Sequence, residues 1–267
     1  MRRLILCSDD FAFSRGVSDT IAGLAREGKL NAIGCMTAMP GWAEDSVLLR
    51  GLPPHVEIGL HLTLTEERPI TAMPGHAPQG IMPTIDTVTR RAGQGALPLA
   101  EIACEVTAQF DAFIGAMGRP PAFVDGHQHS HVLPGIRRIV LAETARRAPD
   151  AWLRDCTDRL SAMLARPFRG KAIGSAYHSR GFRRDAARLG LATNDSFAGH
   201  YDFARDYAAI LPLFLRRPGH RHLVMCHPGA GERAGDTIAA ARPREAAGLR
   251  ATDIRDMAAR EGLAFPA

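Results

Sequence analysis

The chain of 267 residues has no run of 18 or more apolar residues, which excludes a transmembrane helix as the reading of any segment. It is poor in cysteine. Cys7, Cys35, Cys104, Cys156 and Cys226 are odd in number, widely spaced and form no CxxC pair. That pattern excludes a disulfide framework and a zinc–thiolate site, and fits reduced thiols in a cytoplasmic protein. No long basic run occurs either. The net charge of +5 comes from scattered arginine pairs such as Arg137-Arg138, Arg146-Arg147, Arg183-Arg184 and Arg216-Arg217. With no aromatic residues between them, these read as solvated helix faces, and no nucleic-acid partner is expected. The apolar run at residues 4–7 is too short for the core of a signal peptide, and two aspartates follow it. Repeats and low-complexity segments are absent, and nothing resembles a linker.

What is present is an ordinary globular composition, with 46% apolar and 23% charged residues, enough for a sizeable core. Short apolar runs alternate with helix-period segments. Strands are predicted at 4–8, 32–39, 56–63, 122–125, 151–154 and 221–226. Val17, Ile21 and Leu24 recur at i, i+4 and i+7, so a helix ends near Gly28. Further helices are expected at 42–50, 99–117, from Pro134 onward, near 180–189, at 203–215 and at 252–260. Residues 66–98 are rich in proline and glycine and read as a long functional loop. Residues 157–200 are largely unreadable. Strand–helix alternation predicts a single α/β domain over 1–267 with a parallel sheet, as a barrel or an open sheet.

In either architecture the reacting groups belong at the carboxyl ends of strands. Asp9 and Asp10 end the first predicted strand, His61 the third, and His227 the last; His127 follows the strand that stops at Asp125. Neighbouring residues at a strand end point in different directions, so one aspartate can hold a metal while the other accepts a proton. The stretch Asp-Gly-His-Gln-His-Ser-His, 125–131, is the most unusual. Read as extended chain, it spaces its histidines by about 6.7 Å, too far for one ion to take all three. His127, nearest the strand end, is the expected ligand. His129 and His131 are left as substrate contacts, orienting groups or surface residues. One carboxylate and two imidazoles with open positions suit a catalytic divalent ion. Histidine as a residue type changes charge near neutrality, which makes His227 a candidate general acid.

These residues resemble the YdjC/ChbG family of carbohydrate deacetylases. The matching pieces are SDDFAFS at 8–14, GLHLTLT at 59–65, TAMPG at 71–75, DGHQHSH at 125–131 and CHPG at 226–229, in the family's order. The family includes a branch linked to hopanoid lipid biosynthesis (HpnK), and the resemblance extends to it. The resemblance implies a deformed (β/α) barrel, NodB-like and TIM-barrel-like. It implies Asp10, His61 and His127 as ligands of one divalent metal, Mg²⁺ or Zn²⁺, with Asp9 as base and His227 as acid. Arg154 would steady the base; from its place in the triplet rather than from the resemblance, His129 is taken as the substrate contact. The implied substrate is a small N-acetylated sugar or glycolipid, and a homodimer is a compatible assembly. Two tryptophans, Trp42 and Trp152, speak against a long polysaccharide groove. Ala12 and Gly126 depart from the family's usual glycine and serine. The rival readings are another metal hydrolase, of phosphoesterase or amidohydrolase type, and a non-catalytic sugar-binding domain.

Overall fold

The computed structural model describes residues 2–266. Strand β1 (Arg2–Phe11) is followed by α1 (Arg15–Arg26), β2 (Ala32–Cys35), α2 (Trp42–Asp45), β3 (Glu57–Leu62), α3 (Ile85–Gly93) and α4 (Leu99–Met117). Then come β4 (Phe123–Gly126), α5 (Ile136–Arg147), β5 (Trp152–Leu153), α6 (Leu160–Ala165), α7 (Arg169–His178) and α8 (Phe182–Arg188). The chain closes with β6 (Ala192–Thr193), β7 (Ser196–Ala198), α9 (Tyr207–Phe214), β8 (Arg221–Cys226), α10 (Arg242–Ala251), α11 (Ile254–Arg260) and β9 (Leu263–Ala264). The strands form one parallel sheet in the order β6-β5-β4-β3-β2-β1-β8-β7, with β9 pairing beside the start of β1. It is a deformed barrel, and the described residues show no β6–β7 pairing to close it. Asn194 spans that seam: its side chain bonds the Asp155 amide and carbonyl on one side and the Ser196 carbonyl on the other.

The local causes are visible in the sequence. Residues 4–11 of β1 are all buried, as expected of a parallel strand covered on both faces. Helix α1 starts where the Ser14 hydroxyl accepts the Val17 N–H, and it buries Val17, Ile21 and Leu24. Helix α4 buries Ile102, Val106, Phe110 and Phe113 and ends at Gly118, whose φ is 65°. Strand β2 stops at Cys35, four residues short of its expected end.

Residues 66–98 are not one structureless loop. They contain α3, which buries only Val88 and Ala92 and so leaves almost no periodic signal. Carboxylates of α4 hold the rest of the segment: Glu105 accepts the Ile70 and Thr71 N–H groups, and Glu101 those of Gly75 and His76. Helices α6, α7 and α10 and the short strands β6, β7 and β9 escaped the sequence reading. Two- and three-residue strands are too short for a period to register. All five cysteines are unpaired, with only Cys104 exposed. Among the described residues no helix is long and apolar enough to cross a membrane.

A prediction concerns the middle of the sheet. A Cβ on Gly59 of β3 would sit 2.5 Å from the Phe123 ring, which is itself stacked on Trp152 at 4.6 Å. Gly59→Ala should therefore destabilise by about 1–3 kcal/mol. Thermal denaturation checks this, and an unchanged melting temperature would show that β4 can move aside.

Candidate active site

The carboxyl ends of β1, β3, β4 and β8 open onto one cavity of about 490 Å³. Strand β1 reaches it through a bulge. Against β2, Ser8 pairs with Ile33 but Phe11 with Cys35, so one extra residue is accommodated on β1. Asp10 takes a left-handed conformation there, with φ 66°, and Ala12 another, with φ 73°. The bulge aims Asp9 and Asp10 at different partners. Ala12 thus occupies a backbone shape that glycine adopts at least cost, and Ser18 accepts its N–H at 3.0 Å. Gly126 is extended, and a Cβ there would come within 3.0 Å of His131 Nδ1.

Asp10 faces two histidines. Its Oδ1 lies 3.0 Å from His127 Nδ1 and 3.6 Å from His61 Nε2. One donor atom from each of the three residues lies within 4.8 Å of the others. Metal–ligand bonds of about 2.0–2.2 Å put adjacent donors on a shared ion about 3–3.5 Å apart, so the residues fit one divalent cation. The rest of the arrangement agrees. His61 Nδ1 donates to Asp125 Oδ1 at 2.7 Å, which fixes the ring and leaves Nε2 toward Asp10. Strand β2 lies between β1 and β3, and Gly34 makes room there; a Cβ would stand 3.3 Å from the His61 ring. Arg242 donates to the far oxygen of Asp10 at 3.0 Å. Burial opposes ionisation of Asp10, yet His127 and Arg242 outweigh it and hold the carboxyl well below its usual range. Burial likewise disfavours a charged His61, but Asp125, Asp9 and Asp10 lift it to about 9.

Asp9 turns the other way, onto a fully buried Arg154. The guanidinium reaches Asp9 Oδ2 at 2.6 Å and Oδ1 at 2.5 Å, and pairs with Asp125 Oδ2 at 2.5 Å. Burial raises the Asp9 pKa, but Arg154, His61 and His227 prevail and bring it down to about 2. Asp9 is therefore ionised at neutral pH and firmly oriented. His227 Nε2 stands 3.8 Å from Asp9 Oδ2. The His227 backbone N–H donates to Glu245 at 2.5 Å, and its ring lies edge-on to Phe203 with centroids 5.6 Å apart.

The histidine triplet is not extended. Gln128 and His129 are left-handed, with φ 52° and 60°, and the segment coils into a tight turn over His127–Val132. The reason is local: β4 ends at Gly126, and the chain must reverse before α5. The three rings consequently diverge. His127 joins Asp10. His129 lines the cavity, packed against Phe197 and His200. His131 is buried behind the site, where its Nε2 bonds the Arg154 carbonyl at 2.9 Å. Burial lowers it to about 4, so it acts there as a neutral donor to Arg154's backbone.

Several contributors had no signal in the sequence. Arg242 is one arginine among many, and its partner is 232 residues away. Asp125 was visible as a strand end and as the start of the 125–131 stretch, but not as the partner of His61 and Arg154. Of the segment at 66–98, Glu66 and Glu67 alone line the cavity. The opposite wall is Phe13, Phe203 and residues 233–238, and Arg233 bridges to Glu67 at 2.7 Å.

The sequence model of the family described as YdjC-like protein matches residues 3–260. A chitooligosaccharide deacetylase of Escherichia fergusonii is 34% identical over 144 residues, which is 54% of this chain and 56% of that protein. One from Citrobacter koseri is 33% identical over 146 residues, 55% of this chain and 57% of that protein. The chain thus matches little more than half the length of these curated relatives. In fold, it is similar to a crystal structure from Enterococcus faecalis V583, provisionally named a cellobiose-phosphate cleavage protein. The TM-score is 0.76 at 20% identity, over 99% of this chain and 97% of that one.

The donor cluster generates a graded test. His61→Ala should abolish tight Zn²⁺ binding in a calorimetric titration. Asp125→Asn, which leaves all three donors in place, should weaken it by about 10–100-fold. Unchanged affinity in both variants would remove His61 from the ligand set.

Proposed function

We propose that this chain, which belongs to the YdjC-like family, is a metal-dependent hydrolase that removes the acetyl group from an N-acetylated amino sugar. The observation that carries the reading is the convergence of Asp10, His61 and His127 beside an ionised Asp9 and His227 in one cavity. The resemblance of the sequence motifs to carbohydrate deacetylases supports it, as do the names of the curated relatives.

Asp10, His61 and His127 would hold one divalent ion, Zn²⁺ or Mg²⁺. When bound, such an ion supplies a Lewis acid that acidifies water and polarises a carbonyl. The protein's own groups do the rest. The Asp9 carboxylate takes a proton from water as the water oxygen bonds to the acetyl carbon. Its low basicity is the consequence of the Arg154 pair, which in return fixes its direction. His227 gives a proton to the amine nitrogen as the C–N bond breaks, releasing acetate and a free amino sugar. His129 lines the cavity as a substrate contact, and Phe13 and Phe203 offer apolar faces to a sugar ring. A volume of about 490 Å³ suits a small oligosaccharide or a glycolipid head group.

A phosphoesterase-type site with two metals is disfavoured by the second carboxylate cluster. Asp9 and Asp125 come together with Cys7, but the Arg154 guanidinium already supplies the cation between them.

Metal-stripped protein should release acetate from chitobiose-type sugars or an N-acetylglucosaminyl lipid only after Mg²⁺, Zn²⁺ or Co²⁺ is restored. Asp9→Asn should cut turnover by about 10²–10⁴-fold while retaining the metal. Metal-loaded protein that releases no acetate from any such sugar would overturn the proposed reaction.

A further inference from the structure

Residues 157–190 carry eight arginines and lysines against two aspartates. About an eighth of the chain therefore holds more positive charge than the net +5 of the whole. The same stretch contains α6 and α7, each of which exposes a pair of large apolar side chains. Leu160 and Leu164 sit one turn apart on α6 and are 63% and 46% exposed. Ile173 and Tyr177 repeat the spacing on α7 and are 48% and 72% exposed. Helix α7 has no buried residue at all. An i, i+4 apolar pair on each of two consecutive helices is normally turned inward; here both pairs face out.

Cations surround these pairs. Arg169 lies one turn before Ile173 on the same stripe of α7, and Lys171 is on the helix as well. Arg159 precedes α6, and Arg217 reaches the Ser161 carbonyl. Arg205 stands over the Phe168 ring at 5.0 Å. The nearby carboxylates are occupied: Asp158 pairs with Arg166, and Asp202 with Arg205. Apolar side chains beside an excess of cations, among which Arg169 and Lys171 form no ion pair with a carboxylate of the described residues, match a surface with anionic head groups over hydrocarbon. A protein partner would need no such excess of one sign.

The surface is continuous with the cavity. Lys171 donates to the Tyr201 carbonyl at 2.7 Å and lies over the Phe203 ring at 5.3 Å. Phe203 in turn lines the cavity and packs against His227.

We propose that α6 and α7 form a peripheral docking surface for a bilayer containing anionic lipid, which sets the cavity mouth beside the membrane. Docking stands on the charge and the exposed apolar pairs. Its consequence, that the acetylated sugar is presented on a lipid, rests on the deacetylase reading.

The test is sedimentation of the full-length protein with vesicles of phosphatidylcholine alone or with phosphatidylglycerol. Wild type should bind the anionic vesicles at least about tenfold more tightly than the neutral ones, and lose that preference in 0.5 M NaCl. Ile173→Ser/Tyr177→Ser, and separately Arg169→Glu, should each lower anionic-vesicle binding by roughly tenfold or more and leave turnover of a soluble acetylated sugar unchanged. Absence of vesicle binding by wild type would overturn the proposal. So would variants that bind like wild type, or a wild-type dimer in light scattering that the double variant converts to monomer. Vesicle binding by a protein that releases no acetate would leave docking intact and sink only the deacetylase reading.

Discussion

The site depends on a cation buried without solvent. Arg154 is wholly enclosed, and a buried guanidinium is tolerable only when carboxylates surround it. Asp9 and Asp125 do so, one on each side, and each then has a second duty. Asp125 turns its other oxygen to His61 and fixes that ring. Asp9 remains ionised and directed into the cavity beside His227. His131 secures the arginine's own backbone from behind. Removing one partner from such a network leaves an uncompensated buried charge, at a cost of about 3–5 kcal/mol. The positions of Asp9 and of the His61 imidazole are thus coupled through a single guanidinium.

The backbone serves that network with a few left-handed residues. The bulge near the end of β1 separates adjacent aspartates, sending Asp9 to Arg154 and Asp10 to the histidines. Gln128 and His129 split a triplet that an extended chain would present along one face. Gly34, without a side chain, lets a histidine from β3 lean across β2 toward β1. Each device is small, and together they bring Asp10, His61 and His127 to one point.

The two sides of the cavity differ in origin. The floor is made of strand ends, where the parallel sheet concentrates functional groups. The walls come from irregular chain at 66–67, 203 and 233–238 and from the start of α10. Irregular wall segments carry no hydrophobic period, so the residues that line the walls were the least visible in the sequence. Residues 66–98 illustrate this. Prolines and glycines announced an unstructured loop, whereas Glu101 and Glu105 of α4 tie most of it down away from the cavity.

The sequence by itself determined the alternation of strand and helix, the parallel sheet and which residue types collect at the strand ends. Those follow from burial periodicity and from the rule that reacting groups collect at strand ends, both local or one-dimensional properties. Helix α4 and strand β8 were located to the residue, because long amphipathic or wholly apolar runs leave strong signals. Only the tertiary structure decided which aspartate meets the histidines, where each histidine of the triplet goes, and that Arg242 supports Asp10. Those outcomes depend on the sign of φ at a few residues and on contacts between segments up to 232 residues apart. Neither leaves a mark on local composition, since a left-handed turn and a distant ion pair use the same residue types as their alternatives.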